Sequence, residues 1–296
     1  MIIYPRGLLS SADRKHWGVN AFMWIGTLGA CLLAALVLVP FLWMVATSLA
    51  PAQAMFSWPP RWFYGQLDWS SYLVAWQHVP FATYIFNSLI HCFGVVIGQL
   101  LISALAAYAF AKLKPPFGKT LLILFLLTLM IPIESLLIPL YLVMRNFPAS
   151  QTPNVNLIST FWGLILPTVV SAFNILIMKS FFERLPTDLI DAGRLDGCSE
   201  WMIFRKIVIP ISRPILVVLG IFGFITTWNS FFWPLIVLND PKMYTLMVGV
   251  QKMVEAGEPW NIVMAVVTLT TLPTILLYFA FQKYIVRGVV FTGLQV

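Results

Sequence analysis

Ionisable side chains are concentrated in one stretch of this sequence, from Pro186 to Pro210, and are sparse in the apolar segments around it. Only 10% of the chain is charged, so a local mixture of both signs is a distinctive feature. Such a mixture can cap helices, complement their dipoles and offer a partner protein a charged surface. The charged residues are Asp188, Asp191, Arg194, Asp196, Glu200, Arg205 and Lys206.

Cysteine and histidine residues are too few and too scattered to indicate a metal site or a disulfide framework. No pair of them has CxxC or HExxH spacing, and no cluster of catalytic groups is formed. The six residues are Cys31, Cys92, Cys198, His16, His78 and His91.

Gly118-Lys119-Thr120 resembles the end of a phosphate-binding loop, in which a glycine-rich turn cradles nucleotide phosphates. The first glycine of that motif would fall at Leu113, and Pro115-Pro116 occupies the part that should be flexible. The sequence therefore predicts no nucleotide site, no metal and no cofactor in this chain. If the chain serves an ATP-driven process, another polypeptide must bind ATP and Mg²⁺.

The composition predicts a membrane protein. Mean hydropathy is +0.88 and 60% of the residues are hydrophobic, which is typical of membrane rather than soluble proteins. Six segments each hold close to the roughly 20 apolar residues that a bilayer core requires. Backbone groups in lipid must be satisfied within the segment, which favours helices. We therefore predict an all-α membrane protein with spans at about 21–49, 85–111, 120–144, 157–182, 214–238 and 260–286.

The predicted six-helix transmembrane domain covers residues 21–287, between an N-terminal tail at 1–20 and a C-terminal tail at 288–296. Of the 18 Lys and Arg residues, fourteen lie in the tails and in the connections after the second and fourth spans. The other four lie in the remaining connections. Because positively charged connections stay in the cytoplasm, this bias predicts that both termini are cytoplasmic.

Small residues and prolines in the spans indicate how the helices pack. Gly94 and Gly98 form a GxxxG pair, which favours close helix packing, with dimerisation as the weaker alternative. Prolines within spans predict kinked helices, because neighbouring groups must satisfy the freed carbonyls. These prolines are Pro132, Pro139, Pro167, Pro234 and Pro273.

Capping residues predict a helix in the first half of the 186–210 segment. Thr187 can act as the N-cap, and Asp188 and Asp191 would lie in the first turn, where negative charge is favourable. Gly197 is suited to end the helix, since glycine accepts the left-handed conformation that helix C-termini often need.

A second short helix is predicted after that glycine. Ser199 can cap it, with Glu200 at its start and Arg205-Lys206 near its end. Pro210 and Pro214 would then mark the beginning of the next span. The segment is thus predicted to be a helix, a glycine turn and a helix. The alternative is a solvated loop that only connects two spans.

The spacing of this segment resembles the "EAA" signature of binding-protein-dependent ABC importer permeases, E-A-A-x-x-x-G-x9-I-x-L-P. Asp191-Ala192-Gly193 aligns with E-A-A, Gly197 with the glycine, and Ile207 and Pro210 with the end of the motif. Asp replaces Glu, and Gly193 replaces the second Ala, which should weaken the first helix by roughly 1 kcal/mol.

Other parts of the chain are similar to carbohydrate permeases, in particular to the second membrane subunit of the maltose and glycerol-3-phosphate type. The similar segments are Asn87-Ser88-Leu89, 107–112, Trp228-Asn229, Trp233-Pro234-Leu235 and Arg287-Gly288. The glycine-rich tail usual in that family is altered to Thr292-Gly293-Leu294-Gln295-Val296.

The resemblance implies a permease subunit in the bacterial inner membrane. Its implied partners are a second permease, two ATPase subunits that bind ATP and Mg²⁺, and an external solute-binding protein. The 239–259 loop would contact the binding protein, through Lys242, Tyr244, Gln251 and Glu255, although a simple connector is an equal alternative. The implied ATPase-coupling residues are Asp191, Ala192, Gly193, Asp196, Gly197, Ser199, Glu200, Ile207 and Pro210.

Candidate solute contacts lie on the predicted fifth span. Phe222, Thr226, Asn229 and Trp233 follow helical spacing and would share one face. Aromatic rings and amides suit a sugar, because rings stack on its apolar faces and amides bind its hydroxyls. The equal alternative is hydrogen bonding between helices.

Two further candidates are Asn174 and Glu134. Glu134 is the only acid predicted well inside a span, where it could line the path or pair with a partner subunit. The alternatives are a structural role in the protonated form and a position near the outer interface.

Two other function classes compete with the importer permease. A stand-alone ion-coupled secondary carrier needs internal repeats and an intramembrane ionisable network, and the sequence offers only Glu134. A membrane enzyme would need clustered catalytic groups.

Overall fold

The computed structural model describes residues 17–52, 55, 61–62, 64–65, 67–78, 80–147 and 155–293. Throughout these ranges the regular structure is helical, and an isolated antiparallel bridge joins Phe147 to Val155. Most of the predicted 1–20 tail and the last three residues of the predicted 288–296 tail lie outside the described residues.

Fourteen α-helices are described, together with five short π or 3₁₀ turns. In chain order the α-helices are α1 (Trp17–Ser48), α2 (Ser70–His78), α3 (Phe81–Tyr108), α4 (Gly118–Leu127), α5 (Ile133–Arg145), α6 (Phe161–Ile165), α7 (Ala172–Glu183), α8 (Thr187–Leu195), α9 (Glu200–Ile203), α10 (Ile209–Ile211), α11 (Arg213–Trp228), α12 (Phe232–Val237), α13 (Leu246–Glu255) and α14 (Trp260–Gly293). The π turns are Ala109–Leu113 and Phe204–Val208, and the 3₁₀ turns are Thr128–Met130, Leu166–Thr168 and Pro241–Met243.

Three helices are long and apolar enough to cross a membrane by themselves. They are Trp17–Ser48, Phe81–Leu113 and Trp260–Tyr284. These helices match the predicted spans at 21–49, 85–111 and 260–286 to within a few residues.

Two other predicted spans are broken rather than continuous. Within the predicted 120–144 span, Gly118–Met130 and Ile133–Arg145 meet at 105°. Within the predicted 157–182 span, Phe161–Thr168 and Ala172–Glu183 meet at 49°. The first break has a clear cause, because Ile131 precedes a proline and takes the extended conformation that such a position favours.

The predicted 214–238 span is interrupted close to Pro234, one of the prolines from which kinked helices were predicted. α11 ends at Trp228, and α12 begins only at Phe232. Pro234 has no backbone N–H, so a helix running through Ser230 would lose a hydrogen bond there and clash with the proline ring. Before α11, Glu200–Ile211 meets Arg213–Trp228 at 76°. The described residues contain three spans, or up to six if each bent pair is one span.

The chain divides into two compact units. One holds the described residues up to Tyr72 together with Pro259–Thr268, and the other holds Leu73–Glu258 and the described residues from Leu269. Within the first unit, Asn261 Nδ2 donates to Ser71 Oγ over 2.9 Å, and the hydroxyls of Ser48 and Tyr72 lie 2.7 Å apart.

The second unit is organised around α3, which packs against α7 and α11. A Cβ added at Gly94 would lie 2.5 Å from Ile165 Cδ1, and one at Gly98 would lie 2.7 Å from Val169 Cγ1. The GxxxG pair therefore packs against the broken fourth segment of the same chain, as the packing interpretation predicted.

Candidate functional site

The first helix of the 186–210 segment forms as predicted, but its capping differs. Pro186, not Thr187, is the N-cap residue, and no side chain caps this end. Asp188 lies in the first turn, whereas Asp191 lies one turn further on. The prediction assigned both roles from residue type alone, and proline fixes the helix start one residue earlier because its φ is restricted.

Gly197 ends this helix in the predicted way. Its φ is +76°, in the left-handed region. The Cys198 N–H donates to the Gly193 carbonyl over 2.9 Å, and the Gly197 N–H donates to the Arg194 carbonyl over 3.0 Å. This pair of bonds is the Schellman motif, which closes a helix end with a defined geometry. The turn between the two helices is therefore fixed by backbone hydrogen bonds.

The second helix begins as predicted and runs further than predicted. The Met202 N–H donates to the Ser199 hydroxyl over 3.3 Å, and Glu200 occupies the first turn. Helical structure then continues through a π turn to Ile211. Arg205 and Lys206 consequently lie in the middle of this helix, within the π turn, rather than at its end.

A charged network joins the two helices to each other and to α3. Arg194 Nε donates to Glu200 Oε1 over 2.8 Å, and the Tyr108 hydroxyl donates to Glu200 Oε2 over 2.5 Å. Arg194 also pairs with Asp191 over 3.0 Å. The hydrogen bond from Arg194, followed by that from Tyr108, lowers the pKa of Glu200. Glu200 thus stays ionised and holds the second helix against the end of α3.

The inner face of the segment is packed onto a hydrophobic core. Ile190, Ile203 and Val208 are buried in a cluster with residues of α3, α7 and α11. α3 contributes mainly small residues to this cluster, which lets the segment approach its backbone closely. The α3 and π-turn members are Ala104, Ala107, Tyr108 and Ala111.

Gly193 lies where side chains of the second helix pack against the first helix. A Cβ there would lie 3.1 Å from Ile207 Cδ1 and 3.2 Å from Ile203 Cγ1. The glycine that departs from the "EAA" signature therefore faces the second helix, and the neighbouring isoleucines fill the space that an alanine methyl group would need.

The opposite face of the segment is exposed and partly apolar. Leu195 is 90% exposed and Trp201 is 60% exposed. We call these two residues, with Leu189, Ala192 and Met202, the outer face. Of the nine predicted coupling residues, five are exposed, three are half-buried and Gly193 is buried. The exposed ones are Asp191, Ala192, Asp196, Gly197 and Ser199, and the half-buried ones are Glu200, Ile207 and Pro210.

The 239–259 loop is held at the other end of α3. Asn87 Nδ2 donates to the carbonyls of Lys242 and Tyr244 over 2.9 and 3.0 Å. The Leu246 N–H donates to Ser88 Oγ over 2.8 Å. The loop contains α13 and is therefore a structured element tied to α3.

The predicted contact residues of this loop lie on or beside that helix. Lys242 is exposed, and the ring of Tyr244 lies 6.1 Å from that of Tyr84. Gln251 and Lys252 both donate to Glu255, over 3.3 and 2.7 Å. The hydrogen bond from Lys252 is the main cause that lowers the pKa of Glu255.

Comparison with known proteins identifies the family. Residues 99–291 match the family described as "Binding-protein-dependent transport system inner membrane component". The chain belongs to this family. It is a permease subunit of a binding-protein-dependent importer.

Curated relatives agree with this assignment. The permease is 33% identical, over 83% of its length and 88% of the relative's, to the sn-glycerol-3-phosphate transport system permease protein UgpE of Yersinia enterocolitica. It is 34% identical to UgpE of Salmonella typhi, over 71% of its length and 73% of the relative's.

Solved structures share the fold. A chain of a bacterial ABC transporter that imports the acidic polysaccharide alginate matches 93% of the permease and 98% of that chain, with a TM-score of 0.78 and 22% identity. A chain of an alginate transporter in complex with a pentasaccharide-bound periplasmic protein matches with a TM-score of 0.62 and 15% identity, over 89% of the permease and 94% of that chain.

The candidate solute contacts of the permease do not share one helical face. Phe222 and Thr226 lie on α11, and Asn229 is its C-terminal cap residue. Trp233 lies on α12 beyond the break, is 5% exposed, and donates through Nε1 to the Leu164 carbonyl over 3.2 Å. The prediction of a four-residue stripe assumed an unbroken helix and is wrong for Trp233.

The polar members of that stripe bond within their own helix. Thr226 Oγ1 donates to the Phe222 carbonyl over 2.9 Å, and Asn229 Nδ2 donates to the Ile225 carbonyl over 2.7 Å. Both side chains are nevertheless exposed, and they remain predicted solute contacts.

Asn174, which is buried, forms an amide pair with the half-buried Gln99 that the sequence did not predict. Its Nδ2 donates to Gln99 Oε1 over 3.1 Å, and Gln99 Nε2 donates to the Thr168 carbonyl over 2.8 Å. The pair thus bonds a carbonyl at the break between α6 and α7, as polar groups at membrane depth must. The available signal was Gln99, an amide in the middle of the apolar second span.

Glu134 lies in the first turn of α5, directly after the 105° bend, and is exposed. Glu134 therefore follows the interruption of the predicted 120–144 span at Pro132, and its role stays a prediction. A carboxylate in a first helical turn is favoured by the helix dipole.

Proposed function

We propose that this permease pairs with a second, homologous permease to form the transmembrane path for a carbohydrate-like solute. Two ATPase subunits, which bind ATP and Mg²⁺, supply the energy, and an external binding protein delivers the solute. The 186–210 segment docks on an ATPase subunit from the cytoplasm, and both termini lie on that side. The distribution of Lys and Arg supports this orientation.

The outer face of the 186–210 segment is the observation that carries the docking proposal. An exposed leucine and tryptophan beside exposed acids form a surface suited to a protein partner, since apolar anchors with a polar rim are typical of interfaces. The Schellman turn at Gly197 and the contacts of Glu200 hold that surface rigidly on α3. A stiff, firmly attached surface can pass a movement of the ATPase to the spans.

The 239–259 loop is the proposed contact for the binding protein. It is anchored to α3 by Asn87 and Ser88, some twenty residues before Tyr108 contacts the 186–210 segment. One helix therefore carries both proposed partner surfaces.

The solute class is proposed from the relatives. UgpE is named for sn-glycerol-3-phosphate, and the two structural relatives come from alginate transporters. The proposed solute is therefore a carbohydrate, as in the alginate transporters, or a phosphorylated polyol, as for UgpE. The chain itself is proposed to bind no nucleotide and to catalyse no reaction.

The docking proposal is tested with Leu195→Asp in the full complex. Leu195 is 90% exposed, so the substitution leaves the fold intact but places a charge in the proposed interface. We expect the two permeases to assemble while the ATPase subunits no longer copurify. Leu67→Asp is the matched control, because Leu67 is 62% exposed and lies in a different unit. Undiminished ATPase binding by Leu195→Asp would contradict the docking proposal.

The solute class is tested in proteoliposomes that hold the complete complex and its binding protein. Solutes are compared by how strongly they raise ATP hydrolysis: sn-glycerol-3-phosphate, alginate oligosaccharides, neutral oligosaccharides and, as an outgroup, amino acids. Stimulation by one of the first three supports the proposal. Stimulation by amino acids alone would overturn the carbohydrate assignment while leaving the permease role intact.

A further inference from the structure

A cleft with a volume of about 430 Å³ opens where the turn after α3 meets α4 and α7. Its walls combine three lysines and the carboxylate of Glu183 with apolar side chains. The lysines are Lys114, Lys119 and Lys179, and the apolar side chains include Phe110, Phe117 and Leu122. We call this feature the lysine cleft. It lies between two apolar helices, Phe81–Leu113 and Gly118–Met130, and so at the end of membrane-spanning segments.

Two of the three lysines form no ion pair among the described residues. Lys179 pairs with Glu183 over 2.7 Å. Neither Lys114 nor Lys119 takes part in any of the four ion pairs found among the described residues. Lys112, which belongs to the same turn but does not line the cleft, donates to the Leu185 carbonyl over 2.8 Å. The cleft therefore has an excess of positive charge that the permease itself does not neutralise.

The turn that presents these lysines has an unusual backbone. Lys114 and Phe117 have φ values of 50° and 60°, in the left-handed region that residues with a side chain seldom adopt. Pro115-Pro116 lies between them and restricts the turn further. The result is a phenylalanine that is 82% exposed directly beside the lysines.

Apolar surface continues from the cleft along the helices. Leu113 is 47% exposed and Leu121 is 43% exposed, on either side of the turn. A small soluble anion would use only the lysines, whereas a phospholipid would use both features. Its phosphate would contact the ammonium groups, and its acyl chains would lie on the apolar surface. Basic pockets between membrane helices are known to favour anionic lipid headgroups.

We propose that the lysine cleft binds the headgroup of an anionic phospholipid of the phosphatidylglycerol class. Lys114 and Lys119 contact the phosphate, and Phe117 and Leu122 contact the upper part of the acyl chains. The single negative charge of the bound phosphodiester is shared between the two lysines and offsets one of their two positive charges, and the lipid fills the space between the turn, α4 and α7.

The test is native mass spectrometry of the complete complex, released from bilayers of mixed phosphatidylglycerol and phosphatidylethanolamine. We expect the wild-type complex to retain phosphatidylglycerol in preference to phosphatidylethanolamine. The double variant Lys114→Gln/Lys119→Gln should lose this preference. Because each lysine near a membrane surface contributes roughly a fivefold change in affinity, the pair should lower retention about 25-fold.

Two further double variants test whether lipid retention depends on positive charge at this site rather than on folding or on the total charge of the protein. Lys114→Arg/Lys119→Arg keeps both charges and should retain the lipid. Lys242→Gln/Lys252→Gln removes two charges elsewhere, at the other end of α3, and should also retain it. Equal retention of both lipids by the wild type, or equal loss in the two Gln pairs, would overturn the proposal. Complete displacement by inorganic phosphate would also overturn it, since the site would then hold a free anion.

Discussion

Two helices of similar length, α8 and α13, end in the same way at opposite ends of α3. α8 has nine residues and α13 has ten. Each is followed by a glycine in the left-handed conformation, with φ of +76° at Gly197 and +74° at Gly257. Each has the same pair of closing hydrogen bonds, which after α13 run from Gly257 to Val254 and from Glu258 to Met253. The C-terminal ends of the two helices therefore have the same backbone geometry and the same hydrogen bonds.

Their attachment to α3 differs. α8 is linked to α3 through half-exposed charged groups, because Arg194 holds Glu200 and Glu200 accepts from Tyr108. The loop that carries α13 is attached through buried neutral groups, because Asn87 is 4% exposed and donates to two backbone carbonyls. Buried bonds are costly to break, whereas exposed ion pairs are weak.

This difference indicates distinct mechanical roles. Asn87 and Tyr108 lie roughly 30 Å apart along one helix at 1.5 Å per residue. The 239–259 loop is fixed to α3 through the buried side chains of Asn87 and Ser88, so displacing it would break those hydrogen bonds. The 186–210 segment is held on α3 by its buried apolar face, so its half-exposed polar contacts can rearrange in response to an ATPase while the packing stays in place.

Replacing Asn87 by Ala should have the largest effect on stability. It removes the two part-buried hydrogen bonds to the Lys242 and Tyr244 carbonyls, at about 0.5–1.5 kcal/mol each. We expect a lower melting temperature of the purified complex and faster amide hydrogen exchange in α13, with α8 unchanged.

Ser103→Ala is the control for this prediction. Ser103 lies on the same helix, is fully buried, and its Oγ has no hydrogen-bond partner. Removing that hydroxyl should not destabilise the permease. Faster hydrogen exchange in α8 as well as in α13 after Asn87→Ala would show that the stabilities of the two ends of α3 are coupled.

Substituting Val at Gly197 or Gly257 should have the next largest effect. A side chain in the left-handed conformation costs about 1–2 kcal/mol, and neither site has a neighbour within 4 Å of the added Cβ. The two variants should therefore be destabilised equally. Their function should differ: Gly197→Val should uncouple ATP hydrolysis from transport, and Gly257→Val should weaken stimulation by the binding protein.

Both activities are measured in proteoliposomes that contain the complete complex. Basal ATP hydrolysis reports ATPase docking, and its increase with loaded binding protein reports the external contact. If Gly197→Val is destabilised as expected but still transports normally, the turn at Gly197 is not required for coupling.

The sequence was most informative where local chemistry decides the structure. Gly197 and Ser199 act as predicted, because a left-handed turn and a helix cap depend on one residue and its neighbours. Trp233 was placed wrongly, because a periodic pattern assumes a continuous helix and Pro234 interrupts it. The anchor between Asn87 and Lys242 joins residues 155 positions apart, so no local pattern could indicate it.

Replacing Gly193 by Ala tests why the permease departs from the "EAA" signature. Alanine favours the helix by roughly 1 kcal/mol, but its methyl group would lie 3.1 Å from Ile207 Cδ1. Since that atom is the end of a flexible side chain, a small shift suffices. We expect a gain in thermal stability of under about 1 kcal/mol for Gly193→Ala, and a clear loss for Gly193→Leu, which overfills the contact. A loss of stability in both variants would indicate that the side chains around Gly193 cannot shift enough to admit even a methyl group.

The smallest effect is expected for Glu200→Gln, and it should depend on pH. The hydrogen bonds from Arg194 and Tyr108 lower the pKa of Glu200 from its ordinary value of 4.5. A lowered pKa stabilises the fold at pH values above 4.5, and this contribution disappears as the pH falls through the lowered value. The wild type should therefore melt slightly above Glu200→Gln at neutral pH, and the difference should vanish in acid.

Glu255→Gln provides the comparison at the other end of α3. Lys252 lowers the pKa of Glu255 in the same direction, but among the described residues the Glu255 carboxylate bonds only to Gln251 and Lys252 of its own helix. Both substitutions should therefore show the same sign of pH dependence. Only Glu200→Gln should raise hydrogen exchange where the second helix meets α3, because only that carboxylate joins two elements. Equal exchange in the two variants would mean that the inner apolar face alone holds the 186–210 segment in place.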